Sequence, residues 1–163
     1  MIETVVSLLG EKFSTSILKI ENFRNDTTIH ISKSDLQNIC KFLKVDENCS
    51  FDLFIDVIGA DAFTPENRFE VIYILHSLRL NHRIRIKTFI DEKDLHIETI
   101  SNIWLGAEWP EREVYDMFGI IFDGHKDLRR MYMPEDFTHY PLRKDFPLMG
   151  IPNSLPLPSE PER

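Results

Sequence analysis

Cysteine is scarce in this chain of 163 residues: Cys40 and Cys49 form neither a CxxC pair nor a Cys/His cluster. The chain alone therefore cannot build an iron–sulfur cluster or a cysteine-based zinc site, and a disulfide-built scaffold is excluded with them. A reducing compartment is the simpler setting. Long apolar runs are also missing. The longest charge-free stretch, Phe146 to Ser159, carries four prolines, and nothing reaches the roughly 18 consecutive apolar residues of a membrane-spanning helix. The opening Met1-Ile2-Glu3-Thr4 has no basic or apolar signal region, which predicts a chain that is not exported. Positive charge is in deficit, 19 basic against 27 acidic residues for a net of -8, so a nucleic-acid backbone is repelled on average. The sequence contains no G-x-S-x-G, Walker A loop, G-x-G-x-x-G or H-E-x-x-H. Its six histidines, His30, His76, His82, His96, His125 and His139, include no pair at metal-ligand spacing with a carboxylate on a shared helix.

What is present reads as one domain with a tail. Hydrophobic residues make up 42% and charged residues 28%, the balance of a soluble globular protein. Ile2, Val5, Val6, Leu9 and Phe13 recur at helical spacing. Ser34-Asp35-Leu36-Gln37 reads as a capping box that opens a second helix with Leu36, Ile39, Cys40 and Leu43 on one stripe. On that stripe Cys40 is a small core residue rather than a reactive thiol. Ile17 to Phe23 and Thr28 to Ser32 predict a strand pair turned by residues 24–27, and Phe51 to Ile58, Arg68 to Leu78 and Arg83 to Ile90 predict a meander. In the last of these, Ile84, Ile86, Thr88 and Ile90 alternate with Arg83, Arg85, Lys87 and Phe89, which places aliphatic and basic side chains on opposite faces. The nearly unbroken apolar run from Phe69 to Leu75 predicts a strand covered on both faces. Thr99 to Phe118 predicts a closing helix, broken at Trp109-Pro110. The expected fold class is α+β: a two-layer αββαβββα domain with a mixed or antiparallel sheet over residues 1–118, followed by an extended arm over 119–163. Seven of the nine prolines fall in the last thirty residues. Such an arm, with apolar and charged residues interleaved, orders when a surface repays its chain entropy.

The densest polar cluster is Glu111-Arg112-Glu113-Val114-Tyr115-Asp116. Acidic residues in a first helical turn and an Arg112/Asp116 pair at i,i+4 suit a charged helix start. Paired carboxylates, here or at Glu135/Asp136, are also the equipment of a free-standing acid/base enzyme, if their environments push their pKa values apart. Arg129 and Arg130 read as interface anchors, binders of an anionic headgroup, or solvated charges. Leu142-Arg143-Lys144-Asp145, flanked by Phe137, Phe146 and Leu148, repeats the mix of charge and apolar side chains typical of interfaces.

The run from Glu111 to Ile120, with Phe122, Gly124, His125, Leu128, Arg129 and Arg130, resembles the signature of the thirty-kilodalton subunit, or C subunit, of respiratory complex I. The similarity continues through Met133-Pro134-Glu135-Asp136-Phe137 and Pro141 to Leu148, and backwards through Trp104 to Trp109, Arg83 to Thr88 and Arg68 to Tyr73. It covers roughly residues 50 to 148. Lys126 stands where the family usually has proline, and His139-Tyr140 stands where a Gly-His pair is common. The resemblance implies a non-catalytic scaffold subunit in the peripheral arm of a proton-translocating NADH:quinone oxidoreductase. It also implies no cofactor or metal of its own, the flavin and iron–sulfur clusters lying in partner subunits. The implied partners are chiefly the D subunit, which the arm wraps, and the terminal iron–sulfur subunits, B and I. Glu111, Arg112, Glu113, Asp116, Arg129, Arg130, Arg143, Lys144 and Asp145 are the implied interface residues. Membrane attachment would come only through the complex, on the cytoplasmic face of a bacterial inner membrane or the matrix side of the mitochondrial one. An equivalent scaffold in a plastoquinone-reducing complex or a membrane-bound hydrogenase is the alternative machine.

Overall fold

In a computed structural model, which describes residues 2–152, the inward and outward residues of β5 (His82–Ile90) alternate as the sequence predicts. Ile84, Ile86, Thr88 and Ile90 are buried, while Arg83, Arg85, Lys87 and Phe89 line the opposite face. β5 is the middle strand of a five-stranded sheet. It pairs antiparallel with β4 (Phe69–Ser77), which pairs antiparallel with β3 (Leu53–Asp61). On its other side β5 runs parallel to β2 (Asp26–Ile31), whose hairpin partner β1 (Ile17–Phe23) forms the far edge. The order is β1-β2-β5-β4-β3, a mixed sheet built on the predicted hairpin and meander.

Three helices supply the core side. α1 (Ile2–Lys12) buries Val5 and Leu9, and α2 (Leu36–Val45) buries Leu36, Ile39, Cys40 and Leu43. α3 (Glu108–Phe118) adds Val114, Met117 and Phe118. These close over Ile29, Val57, Val71, Tyr73, Leu75, Ile84 and Ile86 of the sheet in a single cluster. The predicted two-layer α+β architecture is the one formed. Burial raises the Cys40 thiol far above its ordinary range, in keeping with a core residue. A second, two-stranded parallel ribbon, β6 (His96–Glu98) with β7 (Ile121–Asp123), flanks α3 in sequence.

Four local expectations are corrected. The β1–β2 turn is only Arg24-Asn25, with φ of 50° and 68°, a two-residue turn whose twist matches its strands; β2 therefore starts at Asp26. The capping box does not form. Ser34 pairs with Ser32, Asp35 accepts from Ser16, and Gln37 donates to the Thr99 carbonyl, so no side chain caps α2. β4 is covered on one face only: Phe69, Val71, Tyr73, Leu75 and Ser77 are buried and the alternate residues half-buried. Finally, the closing helix starts at Glu108 and not at Thr99. Pro110 sits in its first turn, where a missing N–H is harmless. The Thr99 hydroxyl and Ile100 N–H are instead held by Glu111. The last part of the arm, 153–163, lies outside the described residues.

Candidate interaction site: α3 and the root of the arm

Of the five charged residues of α3, one faces outward, Glu108 is half-buried and three face inward. Glu113 is exposed, whereas Glu111, Arg112 and Asp116 are buried. The helix ends at Gly119, whose φ of 78° turns the chain back. A side chain there would also collide with Tyr140 and Arg143, at 2.6 and 2.7 Å from an added Cβ.

Asp116 is the socket for the start of the arm. Its Oδ2 accepts the backbone N–H groups of Met131, Tyr132 and Met133 at 3.0, 2.7 and 3.0 Å, and Oδ1 accepts Arg130 Nη1 at 2.9 Å. Arg112 completes the clasp one turn earlier. Its guanidinium stacks 4.7 Å over Trp109 and donates to the carbonyls of Arg129 and Arg130 at 3.1 and 3.3 Å. The run Leu128 to Met133 is thus held by helix side chains instead of by a strand ladder.

A second clasp grips the arm near residue 143. Arg68, at the mouth of β4, is 5% exposed and meets three carboxylates: Asp61 at 2.8 Å, Glu92 at 2.6 Å and Asp145 of the arm at 3.0 Å. Asp61 also accepts Lys144 N–H at 2.9 Å. Burial alone would raise the Asp61 carboxyl, but Arg68 and the N–H groups of Lys144 and Phe63 together hold it at about 2. Arg143 donates from Nε to the Phe118 carbonyl at 2.7 Å and lies against Tyr140 and Phe69, 4.5 and 5.1 Å from their ring centres. Burial lowers its pKa. The core domain thus supplies the first surface on which the arm lies.

Of the nine residues singled out from the sequence, six are engaged within the chain: Glu111, Arg112, Asp116, Arg130, Arg143 and Asp145. Glu113, Arg129 and the Lys144 side chain point to solvent, Arg129 reaching no further than Asp127 at 2.9 Å. Around them the apolar residues Leu105, Trp109, Tyr132, Leu142, Leu148 and Met149 are all more than half exposed. Asp61, Arg68, Glu92 and Thr99 do not stand out as site residues in the sequence. The legible signal for Asp61 is its phase: it follows Val57 and Gly59 on the inward-facing positions of β3, where a carboxylate requires a buried partner. Among the described residues no three His, Cys, Asp or Glu side chains converge to hold a metal ion, and no helix is long and apolar enough to cross a membrane.

Residues 29–152 match the family model described as respiratory-chain NADH dehydrogenase, 30 Kd subunit. The NADH-quinone oxidoreductase C subunit of Geotalea uraniireducens (strain Rf4) is 43% identical over 142 residues, 87% of this chain and 85% of that one. The NADH-quinone oxidoreductase C/D 2 subunit of Aquifex aeolicus (strain VF5) is 46% identical over 129 residues, which are 79% of this chain but 21% of that one. Among solved structures, a trypsin-resistant fragment (1-134) of Nqo5 superposes with a TM-score of 0.66 and 28% identity, covering 78% of this chain and 98% of the fragment.

Proposed function

The chain belongs to the family of the respiratory-chain NADH dehydrogenase 30 Kd subunit, and from that membership we propose that it works as a non-catalytic scaffold subunit in the peripheral arm of complex I, supporting electron transfer from NADH to quinone. The observation that carries this reading is that the match runs through residue 152. It includes both clasps and the exposed apolar residues of the arm, and so spans the interaction equipment as well as the core.

The clasps fix where the arm leaves the domain. With Asp116 and Arg68 holding its root, the outward display of Glu113, Arg129, Lys144, Tyr132, Leu142, Leu148 and Met149 is presented in one arrangement, which reduces the ordering cost of binding. Buried Arg112 and Asp116 serve the interface by positioning this segment. The D subunit is the proposed principal partner, with the terminal iron–sulfur subunits, B and I, beside it. A relative named C/D 2, in which this chain matches about a fifth of the length, supports the pairing with D. Flavin and iron–sulfur clusters reside in partner subunits, and this subunit carries no active site or cofactor of its own. It attaches to the cytoplasmic face of the inner membrane, or its mitochondrial equivalent, through the complex alone. Residues 119–163 act as the wrapping arm and residues 1–118 as the core domain, with the first residues of the arm, through β7, packed back into that core.

Limited trypsin digestion of the full chain, alone and mixed with the purified D subunit, tests this reading. The D subunit is expected to slow cleavage at Arg129 and Lys144. Equal cleavage rates with and without it would contradict the proposed partnership.

A further inference from the structure

Glu111 is the one fully buried carboxylate in the α3 region that the two clasps do not use. Its side chain is 0% exposed. Oε1 accepts Ile100 N–H at 2.8 Å, and Oε2 accepts the Thr99 hydroxyl, which lies 2.7 Å from the Ser101 hydroxyl. Every element around it brings a neutral or an acidic group. From α2 comes the Cys40 thiol. β4 contributes the Tyr73 hydroxyl, buried and without a hydrogen-bond partner among the described residues, and α3 itself adds the charge of Glu108. His125, on the segment after β7, comes within 4.0 Å. Its Nε2 donates to the Glu108 carbonyl at 3.0 Å and its Nδ1 accepts Asp127 N–H at 3.1 Å. A neutral ring with its proton on Nε2 satisfies both contacts, whereas a second proton on Nδ1 would face the Asp127 N–H. Among the described residues, then, no lysine or arginine neutralises Glu111.

A buried carboxylate without a counter-ion is costly, yet this one has a network that satisfies either charge state. When it is ionised, Ser101 donates to Thr99 and Thr99 donates to Glu111. When it is protonated, the Glu111 O–H donates to Thr99 and Thr99 donates to Ser101. Only hydroxyl rotations separate the two arrangements. We propose that Glu111 is an internal proton-binding site, taking up and releasing one proton in the folded chain as the Thr99–Ser101 hydroxyl pair reverses. Burial, partly offset by the Thr99 and Ile100 hydrogen bonds, raises its carboxyl to about 7, so exchange falls in the neutral range.

The test is carbon-13 NMR of the full-length chain with its glutamate side-chain carboxyls labelled, followed from mildly acidic to mildly alkaline pH. One carboxyl is expected to titrate near neutrality, and its signal to be missing in Glu111→Gln. Thr99→Val removes a bond to each form, the stronger of them to the ionised carboxylate, and should move that midpoint upward while the fold persists. A Glu111 signal titrating in the ordinary carboxylate range, near 4.5, would overturn the proposal. So would a neutral-range step that survives in Glu111→Gln, or a midpoint that stays put or falls in Thr99→Val.

Discussion

Burial without charge compensation makes Glu111 a liability that depends on pH. The folded chain holds the proton up to about 7, whereas an exposed glutamate releases it near 4.5. Its contribution to stability is therefore complete below 4.5 and lost as pH rises through 7, about 3 kcal/mol in all. Glutamine mimics the protonated form, so Glu111→Gln should match the parent near pH 4.5 and exceed it by up to that amount above neutrality. Urea unfolding of both proteins across this window checks it, through the difference between the two curves. A difference independent of pH would contradict the account. At Gly59 the constraint is space: an added Cβ would lie 2.7 Å from the Phe118 ring and 3.0 Å from Val114. Gly59→Ala should cost about 1–3 kcal/mol, measured as a fall in denaturation midpoint. Neither residue's role is legible in the sequence. Glu111 reads as an ordinary first-turn acid, because nothing local reveals that Thr99 and Ile100 fold over it.

Elements are more legible than their ends. The period-two pattern of β5 and the apolar stripe of α2 lie where the sequence puts them, since both depend on one face meeting the core. The start of α3 lies later than its periodicity suggests because Thr99 and Ser101 bond into the interior, a tertiary demand that a helical pattern does not report. The arm's attachment is legible only as a cluster of charges, because socket and plug are distant in sequence: Asp116 holds residues 130–133, and Arg68 holds Asp145. Removing a buried partner from either clasp leaves the other charge uncompensated. Asp116→Ala and Arg68→Ala should each cost on the order of 3–5 kcal/mol. Hydrogen exchange should localise the loss, at the amides of residues 131–133 in the first variant and of Leu142 and Lys144 in the second. In the parent the second clasp should also loosen in acid. Asp61 is held at about 2 against an ordinary 3.8, so its contribution is present above 3.8 and is lost as pH falls through 2.

At the scale of the molecule, family membership is legible in the residues themselves, because ordered blocks from Arg68 to Leu148 carry the resemblance and the family match spans residues 29–152. The same residues say less about which charges face a partner. Six of the nine candidates are bonded within the chain itself, and the surface left for a neighbour is chiefly a set of exposed apolar side chains with a few solvated charges among them. An arm already fastened to its own domain presents that set to a partner in a fixed geometry. As a working part of complex I, this chain should carry its neighbours with it through affinity purification of a tagged full-length copy from native membranes. Recovery of the D subunit together with iron–sulfur and flavin subunits, in a fraction that oxidises NADH with quinone, is the expected result. A chain that elutes by itself, soluble and monomeric, while that activity stays with other proteins, would contradict it.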